Sequence, residues 1–138
     1  MAKISFYLIE KKPQSPIQIA VRLCKQIYLK HKIWLYCDDD ATMQQLDDLL
    51  WQDDDATRFI AHGIDQFEAP ICISMQKPQL GFDVCINLTE NIFQFNALSQ
   101  SDLHLIEIVA NDEPAKIIGR ERYKHYRQTN VEPQVYRL

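Results

Sequence analysis

The chain has 138 residues, a composition that is ordinary for a soluble globular protein, and a formal net charge of −4 at pH 7. At this length we expect one folded domain, which buries roughly two-thirds of the surface that its unfolded chain would expose. The apolar run from Ile4 to Ile9 ends at Glu10, too early for a signal-peptide core or a membrane span, so we expect a cytoplasmic protein.

The first half of the chain alternates between strand and helix patterns. Runs of β-branched and aromatic residues are typical of strands, and Ser15 followed by Pro16 is a helix-start signal. Three aspartates then open a second helix, whose apolar residues recur at helical spacing. The predicted elements are a strand at Ile4–Ile9, a helix at 15–30, a strand at Ile33–Cys37 and a helix at 38–51.

The second half continues this alternation, with predicted strands at Pro70–Ser74, Asp83–Leu88 and Ile106–Val109 and a helix at 112–127. The whole pattern predicts a single-domain three-layer α/β sandwich, in which helices cover both faces of a largely parallel, Rossmann-like sheet. We assign residues 1–127 to this domain. Residues 128–138 contain Pro133 and few apolar anchors, which favours an irregular tail on the surface.

This alternation of strands and helices along the chain is typical of nucleotide-binding enzymes, but the glycine content argues against that function. Phosphate-binding loops need clustered glycines so that backbone amides can approach the phosphates. The three glycines, Gly63, Gly81 and Gly119, stand alone, and the turn at 10–13 after the first strand has none. We therefore expect the protein to adopt a Rossmann-like fold that lacks the phosphate-binding loop of nucleotide-binding enzymes.

The candidate catalytic and metal-binding residues each have a simpler structural explanation. Asp38 to Asp40 follow a predicted strand, where a metal or catalytic carboxylate could lie, but aspartate is also a favoured helix cap. The histidines are not spaced as paired ligands, and we expect the four well-separated cysteines to be buried and reduced. No cofactor or metal is expected. An α/β enzyme that uses the carboxyl ends of the strands remains the alternative.

The last predicted helix carries the strongest functional pattern. At about 100° per residue, four cations and a phenol ring share an arc of roughly 100°. This basic strip consists of Lys116, Arg120, Tyr123, Lys124 and Arg127. Arg122 lies on the opposite side, where we expect its stem to pack against the core.

Charge favours an anionic target for the basic strip. The segment 116–127 carries +4 and the rest of the chain −8. Such a cationic island suits a carboxylate-rich peptide tail or one phosphate cluster better than a long nucleic-acid duplex. A solvated helix face is the alternative, but the ring of Tyr123 favours capture of an acidic peptide end.

A second cluster combines aromatic and aliphatic side chains beside polar loop residues. It consists of Trp51, Phe59 and Ile60. These residues either pack in the core or form a hydrophobic surface for a partner, since exposed aromatic residues carry much of the energy of stable interfaces.

The run RERYKHYR at 120–127, preceded by Lys116, resembles the final helix of the chi subunit family of bacterial DNA polymerase III. Further runs agree in order and approximate spacing: SFYL at 5–8, LDDLLW at 46–51, FIAH at 59–62 and DVCINL at 83–88. The resemblance spans nearly the whole chain, and the two runs RERYKHYR and LDDLLW together are specific.

This resemblance implies a protein-binding bridge in DNA replication. Members of the family are non-enzymatic parts of the clamp-loader assembly that bind the psi subunit and the acidic carboxyl tail of single-stranded DNA-binding protein. They therefore meet DNA only indirectly, and no membrane is involved. By resemblance, the five residues of the basic strip together with Val109 bind the tail, while Trp51, Phe59 and Ile60 face psi.

Overall fold

The computed structural model describes residues 2–10, 14–52, 61–95, 102–129 and 131–138. The described strands are β1 (Lys3–Leu8), β2 (Ile33–Tyr36), β3 (His62–Ile64), β4 (Ile71–Ser74), β5 (Val84–Asn87), β6 (His104–Val109) and β7 (Gln134–Arg137). The described helices are α1 (Pro16–Ile27), α2 (Asp40–Trp51) and α3 (Glu113–Arg127). None of these helices is both long and apolar enough to cross a membrane.

The seven described strands form one sheet in the order β3-β4-β2-β5-β6-β1-β7. Each neighbouring pair in this sheet is parallel. The order puts β1 between β6 and β7, so the first strand of the chain lies near one edge rather than at the centre of the sheet. The prediction of a largely parallel α/β sheet is confirmed.

Alternating side chains of the strands feed two separate apolar clusters, one on each face of the sheet. On β6, Ile106 joins the cluster that contains Ala20 of α1 and Leu46 of α2. Its neighbour Leu105 joins the other cluster, which contains Tyr126 of α3. Because successive strand residues point to opposite faces, α1 and α2 cover one face and α3 covers the other, which confirms the three layers.

Side-chain caps set the starts of the helices. Ser15 caps α1 in a capping box, in which Gln18 N donates to Ser15 Oγ over 3.2 Å and Ser15 N donates to Gln18 Oε1 over 2.9 Å. Asp39 accepts from Thr42 N over 2.6 Å at the start of α2. The interpretation of this aspartate as a helix cap is confirmed.

The expectation of an irregular tail after residue 127 was wrong in one respect. Gln134–Arg137 forms β7, which pairs in parallel with β1, and Leu138 N donates to Leu8 O over 2.8 Å. The strand lies on the surface as expected, since its four residues are all exposed. A strand exposed on both faces has no alternation of apolar and polar residues, so the pattern that identifies half-buried strands is missing.

Strand β3 was also missing from the predicted elements. It spans only three residues and contains Gly63 at its centre. Glycine is disfavoured in strands because it adds no side-chain packing. Residues 62–64 therefore form a strand because they pair with β4, not because of their local strand propensity.

The four cysteines are buried free thiols, as expected. Burial raises the pKa of the Cys37 thiol to about 12 and that of Cys72 to about 11. A thiol with so high a pKa carries almost no thiolate at neutral pH, which makes these side chains poor nucleophiles.

A buried polar network ties α3 to the sheet. Arg122 Nη1 donates to Glu107 Oε1 over 2.7 Å, and Tyr126 Oη donates to Glu107 Oε2 over 2.6 Å. Asn87 Nδ2 also donates to Glu107 Oε2, over 2.9 Å, and Arg122 Nη2 donates to Thr89 O over 2.9 Å. Arg122 thus lies on the core side of α3 as expected. Its guanidinium is also anchored inside rather than extended to water.

The pKa of Glu107 reflects two opposing effects. Burial raises this pKa above its ordinary value, while the Arg122 guanidinium and the hydrogen bonds from Tyr126 and Asn87 act to lower it. The carboxylate therefore depends on these partners to remain charged inside the protein.

Replacing Arg122 by Met should destabilise the fold by about 3 kcal/mol, because a buried carboxylate then lacks its countercharge. Without Arg122, burial raises the pKa of Glu107 in the folded state, so the stability of the variant should fall as the pH rises above about 4.3. Urea unfolding at several pH values measures both effects.

The double variant Arg122→Met, Glu107→Gln serves as the control for this prediction. A neutral amide needs no countercharge, so this variant should recover part of the lost stability and the extra pH dependence should disappear. A loss below about 1 kcal/mol in Arg122→Met would contradict the prediction, since that is the range of exposed pairs.

Candidate functional site

A pocket of about 380 Å³ opens at the carboxyl edge of the sheet, beside α3. The carboxyl ends of β1 and β6 and the edge strand β7 form its other walls. The described residues that line it are Phe6, Leu8, Ile9, Glu10, Val109, Ala110, Lys116, Gly119, Arg120, Tyr123, Val135 and Arg137.

The strand order explains why a crevice forms at this edge. Strands β1 and β6 are neighbours, but the chain leaves β1 toward α1 on one face and leaves β6 toward α3 on the other. Connections that diverge in this way leave a gap outside the carboxyl ends of the strands, which is the usual ligand position in open α/β sheets.

The floor of the pocket is apolar. Phe6 and Leu8 of β1, Val109 of β6 and Val135 of β7 contribute aliphatic and aromatic surface. The ring of Tyr123 packs against that of Phe6, with 5.6 Å between ring centroids and a tilt of 58°. This contact holds the phenol ring at the wall while leaving the residue half-buried.

Gly119 allows α3 to approach the end of β6 closely. A Cβ at this position would lie 2.9 Å from Cγ2 of Val109 and 3.3 Å from its Cγ1. Valine is stiff because it branches at Cβ, so a larger residue at 119 would have to displace the helix or this side chain. Because glycine has no side chain, the residue at 119 determines how closely α3 approaches β6 and thus how wide the pocket is between them.

The rim of the pocket is charged. Three cations line it, Lys116 and Arg120 from α3 and Arg137 from β7, together with one carboxylate, Glu10. Arg137 donates from Nη1 to Glu10 Oε1 over 2.5 Å. An apolar floor bordered by excess positive charge suits a ligand that carries carboxylates beside an apolar group.

Four of the six predicted tail-binding residues line the pocket: Val109, Lys116, Arg120 and Tyr123. The other two, Lys124 and Arg127, are exposed on α3 and are not among its lining residues. Arg127 lies over the ring of Tyr123, with its Cζ 5.9 Å from the centroid, and its Nε lies 3.6 Å from Glu132 Oε2. The basic strip therefore divides into a part inside the pocket and a part beside it.

Sequence reasoning missed the walls that come from β1 and β7. Leu8 ends β1, and Ile9 and Glu10 follow it directly. A search of strand carboxyl ends could have identified these residues had the strand order been known. Val135 and Arg137 belong to a strand that was not predicted. For these two residues the sequence offers no comparable signal.

Trp51 lies far from this pocket, at the end of α2. Its side chain is 60 % exposed and packs edge-on against the ring of His62, with 4.9 Å between centroids. Phe59 and Ile60, the other two predicted residues of this cluster, lie outside the described residues. Of the two alternatives for Trp51, burial in the core was wrong.

The described part of the chain holds no group of three His, Cys, Asp or Glu residues arranged to bind a metal ion. Two of the aspartates at 38–40, where a metal or catalytic site was the alternative, make structural contacts instead. Asp39 caps α2, and Asp38 Oδ2 accepts from Glu90 N over 2.9 Å. The pocket beside α3, in contrast, has a cationic rim that can bind and orient an anionic group.

Comparison with known proteins adds independent findings. Residues 1–134 match the family model described as DNA polymerase III chi subunit, HolC. A protein of Pseudomonas aeruginosa named DNA polymerase III subunit chi is 26% identical over 143 aligned residues, which cover 100% of this chain and 98% of that protein. The match thus includes the strands and the helix that form the pocket.

Proposed function

This chain belongs to the DNA polymerase III chi subunit family of accessory replication subunits, and we propose that it is a non-catalytic bridge in the clamp-loader assembly. One surface binds the psi subunit, and the pocket binds the acidic carboxyl tail of single-stranded DNA-binding protein. The bridge acts in the cytoplasm and meets DNA only through its partners.

The observation that carries the tail-binding role is the pairing of an apolar floor with a cationic rim in one pocket. A phosphate group alone would use the rim and leave Phe6, Leu8 and Val135 without a function. A peptide that ends in an apolar residue uses both parts, since its side chain fits the floor while its carboxylates reach Lys116 and Arg120. The lining therefore favours a peptide end over a bare phosphate.

Charge on the rest of the molecule supports the same choice. Outside the segment 116–127 the chain carries −8, so a long polyanion that extends beyond the pocket meets repulsion. A short acidic tail can place its carboxylates at the rim and avoid the acidic body. The ligand is thus a compact chain end.

The psi-binding role rests on Trp51. Trp51 is largely exposed, and tryptophan is enriched among the residues that carry most of the binding energy of protein interfaces. Trp51 ends α2 and packs against His62 of β3, at the edge of the sheet opposite β7. With about 4.8 Å between neighbouring strands, six intervals separate the two edges by about 29 Å. Two partners bound at opposite edges would not compete for space, as a bridge requires.

Replacing Arg120 by Ala should weaken binding of the acidic tail peptide roughly tenfold, the lower end for a charge-assisted hydrogen bond, because this side chain is exposed. The affinity should also fall as salt shortens the Debye length from about 10 Å to about 3 Å. Fluorescence anisotropy with a labelled tail peptide measures both effects.

The matched control is Arg22→Ala, which removes an exposed arginine from α1 on the other face of the sheet and should leave the affinity unchanged. A second control is the peptide without its terminal residue, which should bind weakly because the apolar floor is left empty. Equal binding of both peptides, or unchanged affinity in folded Arg120→Ala, would show that the basic strip is only a solvated face.

Replacing Trp51 by Ala should weaken psi binding by more than about 2 kcal/mol, as expected for an interface anchor. Because the side chain is mostly exposed, the variant should keep its fold, which circular dichroism checks. Isothermal titration calorimetry with psi and with the tail peptide should show that only psi binding changes. The control is Ile117→Ala, which removes an exposed apolar side chain from α3. Equal losses in both variants would contradict the assignment.

The dissociation constant for naked DNA should exceed about 1 µM at physiological salt. Only the short basic segment attracts phosphates, and the rest of the molecule, at a net charge of −8, repels them. Anisotropy titrations with labelled single-stranded and duplex oligonucleotides test this expectation. Submicromolar binding to bare oligonucleotides would contradict the bridge and favour direct DNA contact.

A further inference from the structure

The rim of the pocket contains a carboxylate that an anionic ligand would have to approach. Glu10 is the one acidic residue among the described lining residues, and it is paired with Arg137. This carboxylate lowers the charge of the lining side chains from +3 to +2. The guanidinium of Arg137 is therefore already engaged by a carboxylate of the protein itself.

Backbone hydrogen bonds bring these two side chains together. Leu8 is the register partner of Arg137 in the pairing of β1 with β7. Beyond that pair, Leu138 N donates to Leu8 O over 2.8 Å, and Glu10 N donates to Leu138 O over 3.3 Å. The ion pair thus lies between two chain segments that are already bound to each other.

The side chains themselves are accessible to a ligand. That of Arg137 is 70% exposed and that of Glu10 is 36% exposed. Exposed pairs are weak, typically below about 1 kcal/mol, because water competes for both partners. A carboxylate arriving from outside could therefore replace Glu10 on Arg137 at little expense.

We infer that Arg137 is a third ligand-binding cation of the pocket, and that Glu10 occupies its guanidinium as an internal competitor until a carboxylate of the acidic peptide replaces it. This inference rests on the proposed tail binding and adds its regulation by charge competition. Only a ligand with a carboxylate near its apolar end gains the contact with Arg137. The pair thus lowers the affinity for ligands that lack such a carboxylate.

A double-mutant cycle on the full chain tests the competition, with the labelled acidic tail peptide as probe. Arg137→Ala should weaken binding about three- to fivefold, and Glu10→Gln should strengthen it about two- to fivefold, the range for exposed pairs. In the Arg137→Ala background, the gain from Glu10→Gln should shrink to less than about 1.5-fold, because no guanidinium remains to be released.

The matched control is Glu68→Gln, which removes an exposed carboxylate near the opposite edge of the sheet and should leave the affinity unchanged. An equal gain from Glu10→Gln in both backgrounds, or weaker binding in Glu10→Gln, would overturn the competition. If Arg120→Ala weakens binding while Glu10→Gln and Arg137→Ala change nothing, this inference fails and tail binding stands. If the unaltered protein does not bind the peptide, the proposed function fails as well.

Discussion

The buried ion pair between Glu107 and Arg122 fixes the orientation of α3, and the pocket depends on that orientation. Arg122 and Tyr126 point into the protein because both bind the same carboxylate. At about 100° per residue, this direction turns Lys116 and Tyr123 to the flank of the helix, roughly 80° to 100° away from the core. A helix held only by apolar contacts could rotate with less loss, whereas a buried charge tolerates little displacement from its partner.

The second requirement for the pocket is a gap in the sheet's carboxyl edge, which comes from topology. The connections after β1 and β6 leave toward opposite faces, and β7 then extends the sheet beyond β1. Nucleotide-binding proteins use this position with a glycine-rich loop that presents amides. Here side-chain cations and an apolar floor take that place, and this lining is the basis for proposing the end of an acidic peptide, rather than a phosphate, as the ligand.

Opposite edges of one sheet give the proposed bridge its geometry. The pocket lies at the edge formed by β1 and β7, whereas Trp51 packs against β3 at the other edge. The inner strands of the sheet, whose two faces pack against helices, separate these two surfaces. A partner bound at one edge would therefore leave the surface at the other edge accessible.

The sequence by itself determined the elements with strong local patterns, namely strands β1, β2, β4, β5 and β6 and all three described helices. It also predicted the burial of the cysteines. It also grouped Lys116, Arg120, Tyr123 and Val109, which line one pocket, as candidate ligand-binding residues, because helical spacing groups the first three and the family resemblance adds the fourth. Only the tertiary structure added Arg137 and Glu10 to the site. Strand β7 has no buried face, so its pairing with β1 leaves no periodic signal, and the pocket unites segments more than a hundred residues apart. Local patterns report which face of an element is apolar, whereas strand order is set by the packing of the whole chain.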